Sequence, residues 1–290
     1  MEKKTIWHTM AAVDVRFLYI IIVIAIVIPL LNPIGLPLVF LDEVIDTVAL
    51  MRSIPPGSLV YFGAECAAEN SAELRPPAVA GARLMYELGH RIIIGGFWPD
   101  GCILVRQWLT PYFEEMGAVY GEDYVILGYR ASVTSILDTA RDNFILAFSD
   151  RDINGDRLSS MPVMAGLNKA SDFAYCFVLS PGGPGTGTYT TAWRATGEVD
   201  LIIDVPTGSM YNSAGNNYQS GLTAGLIGGL NGGAQFEQLI GHPGEATRSM
   251  DAQSMGHFAI ITFLVVGNIG YFQIRRMEEQ EKEAIKSGGS

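Results

Sequence analysis

Residues 58–97, SLVYFGAECAAENSAELRPPAVAGARLMYELGHRIIIGGF, decide the fold. Two short β-rich apolar runs, 58–63 and 91–97, flank a helical stretch that opens at Pro76-Pro77 and closes at Gly89. Proline suits a first helical turn and glycine suits the position just past a last one. Two strands joined through a helix pair in parallel, because a parallel pair needs a long crossover. Both runs are apolar without polar alternation, the pattern of strands covered on both faces.

The same unit recurs toward the C-terminus. Pro99, Asp100 and Gly101 turn into a helical stretch at 102–118, followed by a strand at 123–129 and a helix at 131–142. Residues 143–148 are apolar and ambiguous, and 150–160 form a polar turn region. A fourth strand is expected at 173–180, a helix at 188–196 and a fifth strand at 198–205. Alternating strands and helices predict an α/β, Rossmann-like three-layer domain with a mainly parallel sheet. Residues 210–240 are rich in Gly, Asn and Ala. They are expected to form a strand or loop and then a helix from about Gly233. A helix presenting Gly221, Gly225, Gly229 and Gly233 on one close-packing face is the alternative.

Apolar segments flank this domain. Residues 17–41, FLYIIIVIAIVIPLLNPIGLPLVFL, hold no charge and exceed the roughly 20 residues that span a hydrocarbon core. The run is too long for a cleaved signal sequence and lacks a small-residue cleavage pattern, so an uncleaved anchor is expected. Pro29, Pro33 and Pro37 predict a kink or a departure from helix in its second half. A second span is expected at 255–274. The resulting organisation is a tail (1–16), a first span (17–41), an amphipathic helix at the interface or against the domain (42–56), the α/β domain (57–250), the second span and a charged tail (275–290). Arg16, Arg275 and Arg276 lie on the tail sides, whereas Asp42, Glu43, Asp46 and Asp251 crowd the inner flanks. The positive-inside rule therefore places both tails in the cytoplasm and the central domain outside it.

Charge narrows the partners. The chain has a net charge of −11, and residues 42–251 carry 24 acidic against 12 basic side chains. Such a domain repels nucleic acid and anionic lipid headgroups. Three cysteines without a CxxC pair argue against a disulfide framework or cysteine-rich metal site. The bilayer and further copies of the chain are the expected partners, the latter through the glycine-rich segment, and a small-molecule ligand is compatible with the fold.

In an open parallel sheet ligands sit beyond the carboxyl ends of the strands. The strand ends supply Glu65, Cys66 and Glu69, then Trp98 and Asp100, then Tyr129 and Arg130. Ser180, Gly182, Gly183, Gly185, Gly187 and Thr188 follow the fourth strand, and Asp204 to Thr207 end the fifth. The run SPGGPGTGT at 180–188 can present backbone N–H groups to an anion. A tight turn without a ligand is the plainer alternative. Thr188 stands where the lysine of a nucleotide-binding P-loop belongs, and a G-x-G-x-x-G after the first strand is missing, so ATP, GTP and NAD are not expected. Residues 150–156 open like a calcium loop, but Met161 takes the position of the closing glutamate. None of His8, His90, His242 and His257 pairs with another at ligand spacing, so no metal site is expected. His90 ends a helix, where its cation would suit the dipole. Cys66 lies beside Glu65, whose charge raises rather than lowers a thiol pKa.

Two segments, YGEDYVILGY at 120–129 and GLIGGLNGGAQFE at 225–237, resemble a family of uncharacterised bacterial and archaeal membrane proteins with an α/β domain between terminal hydrophobic segments. The resemblance implies that architecture and brings no activity or catalytic residue with it. An anchored binding or assembly module is the expected function. The rival is a tethered hydrolase or transferase for an anionic small molecule, which requires Glu65, Asp100, Ser180 and Asp204 to converge on one pocket.

Overall fold

The computed structural model describes residues 14–287 and divides them into two units, one containing residues up to 36 and from 248 onward, the other residues 37–247.

In the first unit, α1 (Val15–Leu31) is an apolar helix of 17 residues whose start is capped by Asp14, which accepts the Arg16 N–H at 3.0 Å. The expected span to residue 41 is therefore shortened: 17 residues reach about 26 Å as a helix, and the chain is extended after Asn32. Pro33 explains the stop, because proline disfavours helical backbone in the residue before it. The long helix α10 (Glu245–Ser287) contains the one stretch among the described residues that is long and apolar enough to cross a membrane, Glu245–Gln280. Phe17, Ile20, Ile24, Phe258, Ile261 and Leu264 are all exposed. Asp251 ties the unit together: its carboxylate accepts the N–H groups of Ile34, Gly35 and Leu36 at 2.7, 2.8 and 3.0 Å.

The second unit opens with α2 (Asp42–Ser53), then β1 (Leu59–Gly63), α3 (Ser71–Glu87), β2 (Arg91–Gly96), α4 (Gly101–Met116) and β3 (Tyr124–Tyr129). After the short helices α5 (Val133–Asp142) and α6 (Phe144–Ala147) come β4 (Phe173–Ser180), α7 (Thr186–Tyr189, continued by a π turn at Thr190–Arg194) and β5 (Ile202–Pro206). The unit closes with α8 (Tyr211–Gln219), β6 (Gly225–Leu226) and α9 (Gly229–Leu239). All six strands are parallel, in the order β3-β2-β1-β4-β5-β6. Successive strand residues feed opposite layers. Val60, Phe62, Ile92 and Phe177 join α2, α3, α4 and α9 on one face, while Tyr61, Ile93, Val125 and Val178 join α5, α6 and α7 on the other. Continuous apolar strands are thus required by a sheet covered twice.

Two open alternatives are decided here, and two local expectations need correction. Of the two placements expected for α2, the one against the domain is taken: Val44, Thr47, Val48 and Met51 are buried, and the Thr47 hydroxyl accepts the Leu226 N–H at 2.9 Å beside the short β6. Residues 211–219 form a helix. The glycines at 221–233 share no helical face, because Gly225 lies in β6 beside Thr47, Gly229 meets Gly208, and Gly233 meets Pro77 and Ala246. The close approaches of Gly225, Gly229 and Gly233 fall inside the domain. Finally, His90 is buried and burial lowers its pKa. Its Nε2–H faces the Ile54 carbonyl at 3.3 Å, an acceptor only, so Nδ1 accepts from the Tyr175 hydroxyl at 3.2 Å. That neutral arrangement opposes the expected cation.

Candidate functional site

The strand order reverses between β1 and β4, where a Rossmann-like sheet ordinarily opens a ligand crevice. Here the protein fills it. Glu65, the second residue past β1, is fully buried; its Oε2 accepts the Phe97 N–H at 2.9 Å and its Oε1 the Tyr189 hydroxyl at 2.6 Å. The Tyr189 and Tyr61 hydroxyls are 3.3 Å apart. Above them the Trp98 indole N–H, past β2, donates to the Pro184 carbonyl, past β4, at 2.7 Å. Helix α4 also sits close: a Cβ added to Gly101 would lie 1.9 Å from the Ala64 carbonyl oxygen, a contact only glycine permits.

Burial pushes the Glu65 carboxyl up to about 7 against the opposing pull of Tyr189 and the Phe97 and Trp98 backbone. When it takes a proton, the tyrosine pair can reverse: Glu65 donates to Tyr189 and Tyr189 to Tyr61. Cys66 is buried and its thiol is pushed up to about 12 by desolvation and then by Glu65 and Asp100, the direction expected of an inert structural thiol.

The open space lies beside β4 and β5. A cleft of about 280 Å³ has the 180–188 turn as one wall, with Ser180, Gly182, Gly183, Gly185, Gly187 and Thr188. Asp204 and Pro206 of β5 also line it, and Met210, Ser213, Ala214 and Asn217 at the start of and along α8 complete it. The Thr186 N–H donates to Ser180 Oγ at 3.2 Å, and the Thr186 hydroxyl donates to Asp204 Oδ1 at 2.6 Å. Gly185 lets the turn close this tightly, since a Cβ there would lie 2.3 Å from the Gly182 carbonyl oxygen and 2.6 Å from Ser180 Oγ. Asp204 is buried, and desolvation pushes it up to about 7 despite hydrogen bonds from Thr186, Ser180 and the Val205 backbone.

Seven expected site residues therefore line one cleft: Ser180, Gly182, Gly183, Gly185, Gly187, Thr188 and Asp204. Glu65 sits in the sealed crevice. Asp100 is exposed just before α4, and Tyr129 is exposed at the end of β3; neither lines the cleft. No strand end points to the α8 wall. A signal was present: Met210, Ala214 and Asn217 fall at i, i+4 and i+7, while Tyr211 and Tyr218 are seven apart on another face.

At 150–156, Asp152 closes its own turn, accepting the Asn154 N–H at 2.9 Å, the Asp156 N–H at 2.7 Å and the Tyr120 hydroxyl at 2.6 Å. A group of three or more His, Cys, Asp or Glu side chains able to hold a metal does not occur among the described residues. A larger groove, about 960 Å³, lies along α1 and α10 among Leu18, Ile21, Phe263 and Val266, with Arg275 and Glu279 at one end. Its apolar walls belong to the apolar segments of α1 and α10, and its charged groups, Arg275, Glu278, Glu279 and Lys282, gather at the far end of α10. Comparison with protein-family models, with curated proteins and with solved structures finds no match.

Proposed function

We propose that this chain is a bilayer-anchored binding module that takes a small polar ligand in the cleft between the 180–188 turn and α8. The observation that carries this is the cleft itself: a cavity at the strand ends where Ser180, Asp204, Ser213 and Asn217 are set among glycine backbone. Concavity with a few convergent polar groups and a perturbed carboxyl is the usual mark of a small-molecule site. Two apolar segments, α1 and part of α10, support anchoring at both ends. The basic residues Arg16, Arg275 and Arg276 favour cytoplasmic tails and a domain on the other side.

Binding is tested with the full chain in nanodiscs, by a thermal-shift panel of metabolites run on the wild type and on Ser213→Trp, which fills the cleft from an exposed position. Ligands that raise the wild-type Tm and leave the variant unmoved support the module. A panel that shifts both proteins alike, or neither, removes it. For topology, the three native thiols are buried and form a silent background. Glu69→Cys, on an exposed turn, is expected to react with an impermeant maleimide in intact cells. Reaction only after lysis would put the domain inside.

The enzyme alternative keeps one supporting observation, a Ser180–Asp204 pair facing the cleft. The four-residue convergence it requires is not formed, since Glu65 and Asp100 lie elsewhere. Covalent capture of Ser180 by a fluorophosphonate probe would favour it.

A further inference from the structure

The cleft's chemistry points to the class of ligand, and the inference rests on the binding function proposed above. We propose that it holds an uncharged, hydroxyl-rich molecule of monosaccharide or cyclitol size, with one hydroxyl donating to Asp204.

The charge, hydrogen-bonding capacity, apolar strip and size of the lining argue for this. Its one ionisable side chain is the carboxyl of Asp204, and Lys, Arg and His are absent from it. A phosphate or carboxylate ligand would therefore face a buried acid with no cation beside it, an arrangement that costs several-fold to many-fold in affinity rather than adding to it. An amine fares little better. Asp204 already receives hydrogen bonds from Thr186, Ser180 and the Val205 backbone, of the roughly four positions a carboxylate offers. One further donor fits there, but a desolvated ammonium would leave its other hydrogens to be matched elsewhere.

The remaining walls ask for both kinds of partner. The Asn217 amide donates and accepts, and the Ser213 hydroxyl does both. A polyol carries donors and acceptors on every carbon, whereas an anion supplies acceptors alone and an ammonium donors alone. Pro206, Met210 and Ala214 give the cleft an apolar strip for the C–H face that such a ring presents. The volume of about 280 Å³ fits a single ring and excludes a dinucleotide.

The test is saturation-transfer NMR on the full chain in nanodiscs, with glucose, galactose, mannose, N-acetylglucosamine and myo-inositol as probes. Methyl phosphate and AMP represent anions, and ethanolamine and spermidine represent amines. The expected result is transfer to at least one of the neutral probes, lost in Ser213→Trp and weakened at least tenfold in Asp204→Asn. Thermal melts that match the wild type certify that both variants are folded, and Ser213→Trp serves alone if Asp204→Asn is not. Binding confined to methyl phosphate, AMP or an amine and lost in Ser213→Trp would overturn the ligand class while leaving the binding module standing. Neutral-probe binding that Ser213→Trp does not touch would overturn the class as well. No cleft-dependent binding of any probe would remove both.

Discussion

Two crevices at the same edge of the sheet hold a buried carboxyl each, and both carboxyls are raised to about 7 by burial. Around Glu65 the protein supplies every neighbour: two tyrosines, the Phe97 backbone and a tryptophan bridged to Pro184. Around Asp204 it supplies a turn on one side and leaves a cleft on the other. A raised carboxyl is thus no sign of function by itself. What separates the two is whether space for another molecule remains, and at the reversal of strand order, where a ligand is ordinarily expected, it does not.

If Glu65 is a sealed structural group, its removal must cost more than removal of Asp204. Glu65→Ala strands the Phe97 N–H and the Tyr189 hydroxyl in the core and leaves a cavity, for an expected loss of about 4 kcal/mol. Chemical denaturation near pH 6 measures it. A loss under about 1 kcal/mol would mean that water already reaches the crevice. Gly101→Ala attacks the same seal from α4, because its Cβ would overlap the Ala64 carbonyl oxygen, and a loss of about 3 kcal/mol is expected.

The raised carboxyls also fix how stability depends on pH. The folded state holds a proton on Glu65 up to about 7, while the unfolded chain releases it near 4.5. The folded state therefore binds more protons across that window, so stability is greatest below about pH 4.5 from this group and falls as pH rises toward 7. The expected loss is about 3 kcal/mol, and Glu65→Gln should flatten that share of the curve. Asp204, lifted from 3.8, has the same sign. Its contribution should shrink when a ligand donates to its charged form, whereas that of Glu65 should not. A Glu65→Gln protein with an unchanged pH profile would show that Glu65 ionises without resistance.

Much of this architecture was legible in the residues and some of it could not be. Parallel β1 to β5 announce themselves as short apolar runs separated by helical stretches, since a sheet covered on both faces allows no alternation. The 180–188 turn and Asp204 follow from strand ends alone. By contrast, YNSAGNNYQ in α8 has little helix propensity, with three asparagines and a glycine in nine residues. What holds it is tertiary: Tyr211 donates to Glu43 and Tyr218 to Asp46, both on α2. The plug over Glu65 was equally hidden, because Trp98 and Pro184 are 86 positions apart and meet only through the strand order. Residues distant in the chain and joined by one hydrogen bond leave no local pattern.

The smallest expected effect bears on the open crevice. Tyr211 and Tyr218 reach α2 from α8, so the wall of the cleft is fastened to the helix that follows α1 by two hydroxyl–carboxylate bonds. These bonds are partly or fully solvent-exposed, and losing both in Tyr211→Phe/Tyr218→Phe should lower global stability by only about 1 kcal/mol. Locally the consequence is larger, because propensity does little for α8. Its amides at 211–219 should exchange with deuterium several-fold faster than in the wild type, while those of β4 keep their protection. Cleft binding should weaken in step, since an unfastened α8 must be ordered again each time a ligand enters. Unchanged exchange at 211–219 would mean that Ala214 and the neighbouring strands hold the wall unaided, and that α2 has no grip on the cleft.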